Sequence, residues 1–361
     1  MNPGNPILVT GGAGFIGSNF IHYILRQQPE ARIVNLDRLS YSGSLENLKA
    51  LPDPSRHTFV PGDIGDSTLV EDLLRQHRIE TVVHFAAETH VDRSIASPEA
   101  FIEANVVGTF RLLEACRRTW LPLTTDRVRF HHVSTDEVYG DIGSEEPAST
   151  ERDAYRPNSP YAASKAGADH LVRAYARTYG LPVTISNCSN NYGPRQFPEK
   201  LIPLMILKAM EGSPLPIYGD GHQIRDWVFV DDHSSALIRI LERGRRGETY
   251  HVGGGNQVSN IELVRILCAL LDGVLPDSAH VPHSSLIRHV ADRPGHDRRY
   301  AMDFTKIQSE LGWQPAYGLV RGLRETVRWY LDHADWLETI RTLPTYLDWL
   351  EQNYAARQGS R

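Results

Sequence analysis

Short apolar runs alternate with longer amphipathic stretches through the first third of the chain. Ile7-Leu8-Val9-Thr10, Ile33-Val34-Asn35-Leu36, Thr58-Phe59-Val60 and Thr81-Val82-Val83-His84-Phe85-Ala86-Ala87 read as strands, and the patterns between them as helices. Four such strands within about 90 residues predict a doubly wound parallel sheet, an α/β fold of the Rossmann-like kind. Val128-Arg129-Phe130-His131-His132 and Val183-Thr184-Ile185 carry the strand pattern onward. Ligands of such sheets sit at the carboxyl ends of the strands, where Ala86-Ala87-Glu88-Thr89-His90 and Thr135-Asp136-Glu137 arrive.

The first of these strands runs into Gly11-Gly12-Ala13-Gly14-Phe15-Ile16-Gly17 and then a helical pattern through Phe20, Ile21 and Ile24. Glycines at this junction let backbone approach a pyrophosphate and aim helix N–H groups at it, so the stretch predicts a dinucleotide site. Asp37, twenty residues past Gly17, suits the ribose hydroxyls of NAD and would repel a 2′-phosphate. The alternative is a cap for the turn before Leu39, and Arg38 beside it weakens the preference for NAD. Asp63, ahead of Ile64, meets the adenine or starts the helix over 67–77.

A second grouping runs from Ser134 to Lys165. Thr135, Asp136 and Glu137 follow a strand, and Tyr161 and Lys165 follow Pro160, a residue suited to open a helix. In that helix Tyr161 and Lys165 are one turn apart, roughly 6 Å. An ammonium at that distance is worth roughly 2.8 kcal/mol at a dielectric near 20, which predicts a phenol pKa lowered towards about 8. Alone, the spacing also fits a surface pair. Successive strand side chains face opposite ways, so Asp136 and Glu137 converge only where the strand has broken; alone, they fit a solvated loop pair.

The 361 residues are 41% apolar and 23% charged with a net charge of −6, which suits a globular protein and argues against nucleic acid as a partner. Cys116, Cys188 and Cys268 lie far apart and predict buried thiols in a reducing compartment. No His-x-x-x-His, Cys-x-x-Cys or carboxylate cluster has ligand spacing, so no metal is expected. Without an apolar run of about 18 residues or room for a signal peptide, no membrane is expected and the location is cytoplasmic.

Taken with Phe85-Ala86-Ala87-Glu88-Thr89-His90-Val91-Asp92-Arg93-Ser94 and Ser134-Thr135-Asp136-Glu137-Val138-Tyr139-Gly140, these motifs resemble the extended short-chain dehydrogenase/reductase superfamily, and within it the dTDP-glucose 4,6-dehydratase family. The likeness spans about residues 6 to 330, and adjacent Asp136-Glu137 is its most discriminating piece. It implies bound NAD, held by Gly11, Gly14, Phe15, Ile16, Gly17, Asp37, Asp63, Ile64, Ala86, Ala87, Thr89, Tyr161, Lys165 and Asn191. It also implies a relay in which Tyr161 takes the sugar 4-hydroxyl proton as C4 is oxidised, Glu137 removes the C5 proton and protonated Asp136 donates to the leaving 6-hydroxyl. A nucleotide sugar would meet Thr135, Asn190, Lys200, Leu201, Pro216, Tyr218, Arg225, Asn260, Arg293 and His296, with Arg225 and Arg293 suited to phosphate. Arg298 and Arg299 read as solvated charges and Asp231-Asp232 as a helix N-cap.

The expected organisation is an NAD-binding unit over 1–190, to which the chain returns from parts of 191–260. A smaller C-terminal α/β substrate-binding unit covers 191–335, and a helical tail covers 336–361 with Trp336, Leu337, Leu343, Tyr346, Leu347, Trp349 and Leu350. The stretch 98–118 carries Ile102, Val106 and Leu113 on one face but also Phe101, Val107, Phe110 and Leu112. With 161–179, which bears Leu171 and Tyr175, it predicts a homodimer interface, a buried monomeric helix being the alternative. Leu39 to Ser44, Glu103-Ala104-Asn105 and Pro194-Arg195-Gln196-Phe197 depart from the family pattern and bear on sugar or nucleotide preference. Rival activities are a UDP- or CDP-sugar dehydratase, a 4-epimerase, or a non-catalytic NAD-sensing scaffold.

Overall fold

In a computed structural model, the described residues are 5–121, 127–343 and 346–347. β1 (Ile7–Thr10), α1 (Phe15–Gln27), β2 (Ile33–Asp37), β3 (His57–Pro61), α2 (Ser67–Gln76) and β4 (Thr81–His84) open the chain. α3 (Val91–Ala96), α4 (Pro98–Phe101) and α5 (Thr109–Trp120) lead to β5 (Arg129–Thr135), α6 (Pro160–Tyr179), β6 (Val183–Cys188) and β7 (Asn190–Tyr192). Then come α7 (Leu201–Met210), β8 (Leu215–Tyr218), β9 (Ile224–Phe229), α8 (Val230–Arg243), β10 (Thr249–Val252), β11 (Gln257–Ser259) and α9 (Asn260–Val274). β12 (Ile287–Val290), α10 (Thr305–Leu311), α11 (Leu319–Asp332) and α12 (Ala334–Arg341) complete the order.

Seven strands form one parallel sheet in the order β10-β6-β5-β4-β1-β2-β3. The order reverses between β1 and β4, so the loops leaving these strands flank a crevice. Alternation along β1 sends Leu8 to one core with α2, α5 and α6, and Ile7 and Val9 to another with α1 and α8. Both faces are covered, which is why the strands read as continuous apolar runs. β10 joins the sheet from far along the chain, after α8.

The later residues build a smaller layer. β11, β9 and β7 form a three-stranded sheet and β12 pairs with β8. Beneath them α7, α9 and α11 share a core that also takes Trp336, Leu337 and Ile340 of α12 and Tyr346. Leu347 is exposed at 52%, while Trp349 and Leu350 lie outside the described residues.

Two local expectations change. The stretch 98–118 is α4, a π-helical segment over Ile102–Gly108, and α5. The widened turn sets buried Asn105 against the loop leaving β4 and against α6, where its amide accepts from Glu88 N at 2.8 Å and donates to Glu88 O at 3.0 Å and Ser164 Oγ at 2.9 Å. The N-cap of α8 is Phe229, not Asp231 or Asp232. Asp231 pairs with Arg26 at 2.9 Å, and Asp232 accepts from the backbone of Ala316 and Tyr317, both at 2.9 Å, because its carboxylate serves a distant loop.

Candidate active site

Thr10 ends β1 and the glycine loop turns at once. Gly11 has φ +74°, and a Cβ on it would lie 2.6 Å from Ala86 N, so only glycine lets this loop nest against the loop leaving β4. A Cβ on Gly17 would lie 2.4 Å from Gly11 O. Gly14 is the N-cap of α1, with no side chain covering the helix N–H groups. Asp37 accepts from Ala13 N and Leu39 N, each at 2.8 Å, so it both borders the cleft and braces the loop.

Asp63 does not cap α2, whose N-cap is Asp66, accepting from Leu69 N at 3.1 Å. Asp63 instead pairs with Arg38 at 2.9 Å, and the same guanidinium reaches Glu88 at 2.9 Å. Arg38 is thereby engaged by two carboxylates at the cleft. All fourteen residues expected to meet NAD line this one cleft, as do Thr135, Asp136, Glu137, Asn190 and Lys200. The glycine cradle and the buried Asp37 carboxylate fit a dinucleotide with free ribose hydroxyls.

β5 stops at Thr135 and the next four residues, Asp136–Tyr139, form a single 3-10 turn. This break brings consecutive carboxylates to one cleft. Thr135 Oγ1 accepts from Glu137 N at 3.3 Å and donates to Asp136 Oδ1 at 3.3 Å. Asp136 Oδ2 and Glu137 Oε2 are buried with no hydrogen-bond partner. Burial, then the Glu137 carboxylate, pushes Asp136 well above the usual carboxylate range. Burial raises Glu137 too, but Arg293, Arg225 and Lys200 oppose the shift.

Pro160 occupies the first turn of α6 and Ser159 caps it, accepting from Ala162 N at 3.1 Å. The helix therefore carries Tyr161 and Lys165 one turn apart. The expected lowering of the Tyr161 pKa is overturned: burial, then Glu137, raises the phenol well above 10.0. Desolvation and the neighbouring carboxylates dominate the phenol, and the Lys165 Nζ donates to Val133 O at 2.9 Å. Burial also lowers Lys165 from its ordinary value.

A sequence model of the family described as GDP-mannose 4,6 dehydratase matches residues 8–326. The chain is 51% identical over 363 residues to the dTDP-glucose 4,6-dehydratase of Shigella flexneri, covering 98% of this chain and 99% of that one. It also superposes on the dTDP-glucose 4,6-dehydratase of Streptomyces venezuelae, solved with NAD bound, with TM-score 0.83 and 46% identity over 93% of this chain and 99% of that one. The chain belongs to the dTDP-glucose 4,6-dehydratase family. Likeness to the UDP-glucose 4-epimerase of Thermotoga maritima is weaker in sequence, 30% identity with TM-score 0.79 over 91% of this chain and 99% of that one.

Seven residues that the dehydratase likeness assigns to the sugar nucleotide do not line the cleft: Leu201, Pro216, Tyr218, Arg225, Asn260, Arg293 and His296. Leu201 opens α7 and packs on the C-terminal core. Pro216 lies on β8 with Tyr218, whose hydroxyl donates to Asp92 at 3.3 Å. Arg225 donates to Asp297 O and Ile224 O, both at 2.8 Å, and lies 4.2 Å over the Tyr300 ring. Arg293 pairs with Asp92 at 3.2 Å and His296 with Asp292 at 2.6 Å. Asn260 opens α9, whose cap is Ser259. Arg298 is an exposed charge, paired at the surface with Asp220 at 3.0 Å, while Arg299 is half-buried and donates to Gly143 O at 3.0 Å and Glu146 O at 2.8 Å.

Lys200 donates to Thr89 O at 3.1 Å, and Asn191 is held by His233 Nδ1 at 2.8 Å from its Oδ1. Sequence reasoning passed over Glu199 and His233, and read Cys188, which also lines the cleft, only as a buried thiol. Glu199 lines the cleft with both carboxylate oxygens buried and lies 3.4 Å from Arg93. No spacing rule marks it, since its partners come from another element. Among the described residues no group of three or more His, Cys, Asp or Glu could hold a metal ion, and no helix is long and apolar enough to cross a membrane.

Proposed function

We propose that the chain converts dTDP-glucose to dTDP-4-keto-6-deoxyglucose, as an NAD-dependent hydro-lyase. The observation that carries this is the Asp136-Glu137 pair, buried at the strand-to-turn break beside Tyr161. When bound, oxidised NAD supplies a two-electron acceptor, later the donor, and a positive ring charge.

Tyr161 is a neutral phenol in the protein without cofactor. It is favoured as phenolate by the positive charge of bound NAD and by Lys165 one turn away, and as phenolate it receives the proton of the sugar 4-hydroxyl, with Thr135 beside it. Ketone formation at C4 makes the C5 hydrogen acidic. Glu137, with three cations opposing its upward shift, is the carboxylate of the pair suited to act as base there. Asp136, pushed higher, keeps its proton for the departing 6-hydroxyl. One water leaves across C5 and C6, and Glu137 returns a proton to C5 as C6 is reduced.

The reading divides the chain into an NAD-binding unit over 1–190 with β10 returning to it, a nucleotide-sugar unit over 191–335, and a tail that closes on both. Support comes from β10 in the large sheet and from the separate core under β7, β8 and β9. Asn190 and Lys200 meet the sugar nucleotide, with Arg225 and Arg293 behind them as cations facing Glu137. A homodimer through 98–118 and 161–179 follows from Ile102, exposed at 45%, and Phe110, at 43%, on helices that pack side by side. Three free, buried cysteines suit the cytoplasm.

The test is incubation with dTDP-glucose in deuterated water, with product read by mass spectrometry and NMR. A 4-keto-6-deoxy sugar carrying one solvent deuteron at C5, formed without net reduced cofactor, is the expected result. Conversion of glucose to galactose would install the epimerase reading instead. Turnover of UDP-glucose or CDP-glucose with dTDP-glucose untouched would overturn the nucleotide alone.

A further inference from the structure

One face of α6 carries Tyr161, Lys165, Asp169 and Arg173 at successive four-residue steps. Asp169 has no place in the relay above, yet its carboxylate is wholly buried near the middle of a helix. An isolated carboxylate there would be strongly disfavoured, so its partners have to account for it.

They come from three elements. His132 Nε2 of β5 lies 3.2 Å from Asp169 Oδ1. Tyr155, in the segment before α6, donates its hydroxyl to Asp169 Oδ2 at 2.7 Å, and Asn187 of β6 donates to the same oxygen at 3.2 Å. Asn187 Nδ2 also reaches Thr135 O at 3.1 Å, the carbonyl from which the catalytic turn departs. Arg173 donates to the Tyr155 hydroxyl at 2.5 Å and to Thr249 Oγ1 of β10 at 3.2 Å. Burial and Lys165 hold His132 down to about 4, which leaves it neutral at ordinary pH.

We propose that Asp169 is a positioning residue of the active site: its carboxylate is the buried counter-charge of Lys165 and, through Asn187, fixes the Thr135 turn relative to helix α6. His132, neutral and 3.2 Å away, leaves the charge of the carboxylate uncancelled, while Tyr155 and Asn187 orient it. Around Lys165 the other titratable groups are Tyr161 on the same helix, His132 of β5, His84 of β4 and Cys188 of β6, none of them an anion at neutral pH in the protein without cofactor. Around Tyr155 lie Tyr139, with ring centroids 5.0 Å apart, and His170, at 5.4 Å. Asp169 is thus the carboxylate that balances the Lys165 ammonium, and removing its charge while keeping its shape separates the two roles.

The inference rests on the reading of Tyr161 and Lys165 as the oxidising pair. Its test compares wild-type holoenzyme with Asp169→Asn and Tyr155→Phe, assayed on dTDP-glucose across pH. Asp169→Asn is expected to lower kcat by roughly 10²-fold with KM held within about twofold. Without the counter-charge Lys165 loses its proton more easily, so the alkaline limb of the kcat profile moves down by about one unit or more. Tyr155→Phe keeps the charge but removes one donor to it, so Asp169 takes up a proton more easily and the acid limb moves up. A merely structural Asp169 would reduce the folded fraction and leave the profile of the surviving enzyme where it was, and that result overturns the proposal. Should Asp169→Asn fail to fold, an unmoved acid limb in Tyr155→Phe overturns it equally. No dehydration by the wild-type protein would instead sink the reading of Tyr161 and Lys165.

Discussion

Asp136 and Glu137 are neighbours in sequence, and Asp136 Oδ2 and Glu137 Oε2 lie buried in the same cleft without hydrogen-bond partners. The folded-state pKa of Asp136 is raised, so its contribution to stability is full below the unfolded carboxylate value and is lost as pH rises through the folded one. The contribution is lost progressively between those two values, and Asp136→Asn, which carries no charge to bury at any pH, is expected to raise stability at pH 7 by about 1 kcal/mol while cutting dehydration by roughly 10²- to 10⁴-fold. Glu137→Gln should abolish deuterium entry at C5. Thermal unfolding against pH and the deuterated-water assay read both effects, and an Asp136→Asn protein less stable at pH 7 would contradict the first.

Tyr161 is buried, and Glu137 adds to the cost of ionising it. In protein freed of cofactor, the ultraviolet difference titration between wild type and Tyr161→Phe should show no phenolate from this residue up to pH 10.0, its ordinary pKa. Phenolate absorbance near neutrality would restore the ammonium-dominated picture.

Alanine at position 11 places its Cβ 2.6 Å from Ala86 N on a backbone with φ +74°. Gly11→Ala should cost about 1–3 kcal/mol through backbone strain alone and push the glycine loop off Ala86. Thermal unfolding and NAD titration by quenching of intrinsic fluorescence measure the two losses. Affinity for NAD equal to wild type would mean that the loop does not cradle the dinucleotide.

Trp336 of the C-terminal helix donates to Asn47 Oδ1 at 2.9 Å, and Asn47 Nδ2 donates to Ala13 O in the glycine loop at 2.8 Å. Trp336→Ala should destabilise by roughly 3–5 kcal/mol, and Trp336→Phe by about 1 kcal/mol, the latter mostly through the lost donor. Because Asn47 then loses one anchor, NAD retained through gel filtration should fall in both. Full retention in Trp336→Phe would confine the tail to packing.

Phe110 of α5 and Ile102 of the π-helical segment stand exposed at 43% and 45%. Phe110→Asp should convert a dimer to monomers in sedimentation velocity, with the monomer soluble, since the ring covers no core. A wild-type protein that sediments as a monomer would remove the interface.

Much of the fold was legible because its signals are local. Glycines at 11, 14 and 17 follow a strand and precede a helix, Pro160 opens α6, and runs such as Ile33-Val34-Asn35-Leu36 lie in a sheet covered on both faces. The cleft side of the site was legible for the same reason, as its residues sit at strand ends and helix starts. The contacts of the outer residues were not legible: what Arg225 and Arg293 touch is fixed by Asp297 and Asp92, which lie 72 and 201 positions away.

The sequence by itself determined the order of strands and helices, the glycine turn and the one-turn spacing of Tyr161 and Lys165, since periodicity and backbone sterics act over a few residues. Tertiary structure decided that β5 breaks at Thr135, that β10 returns as the seventh strand, and that 98–118 widens around Asn105. It also reversed the expected shift of Tyr161. An ionisable group's free energy depends on how much water the whole fold removes from it and on charges brought from distant segments. No spacing along the chain carries that information.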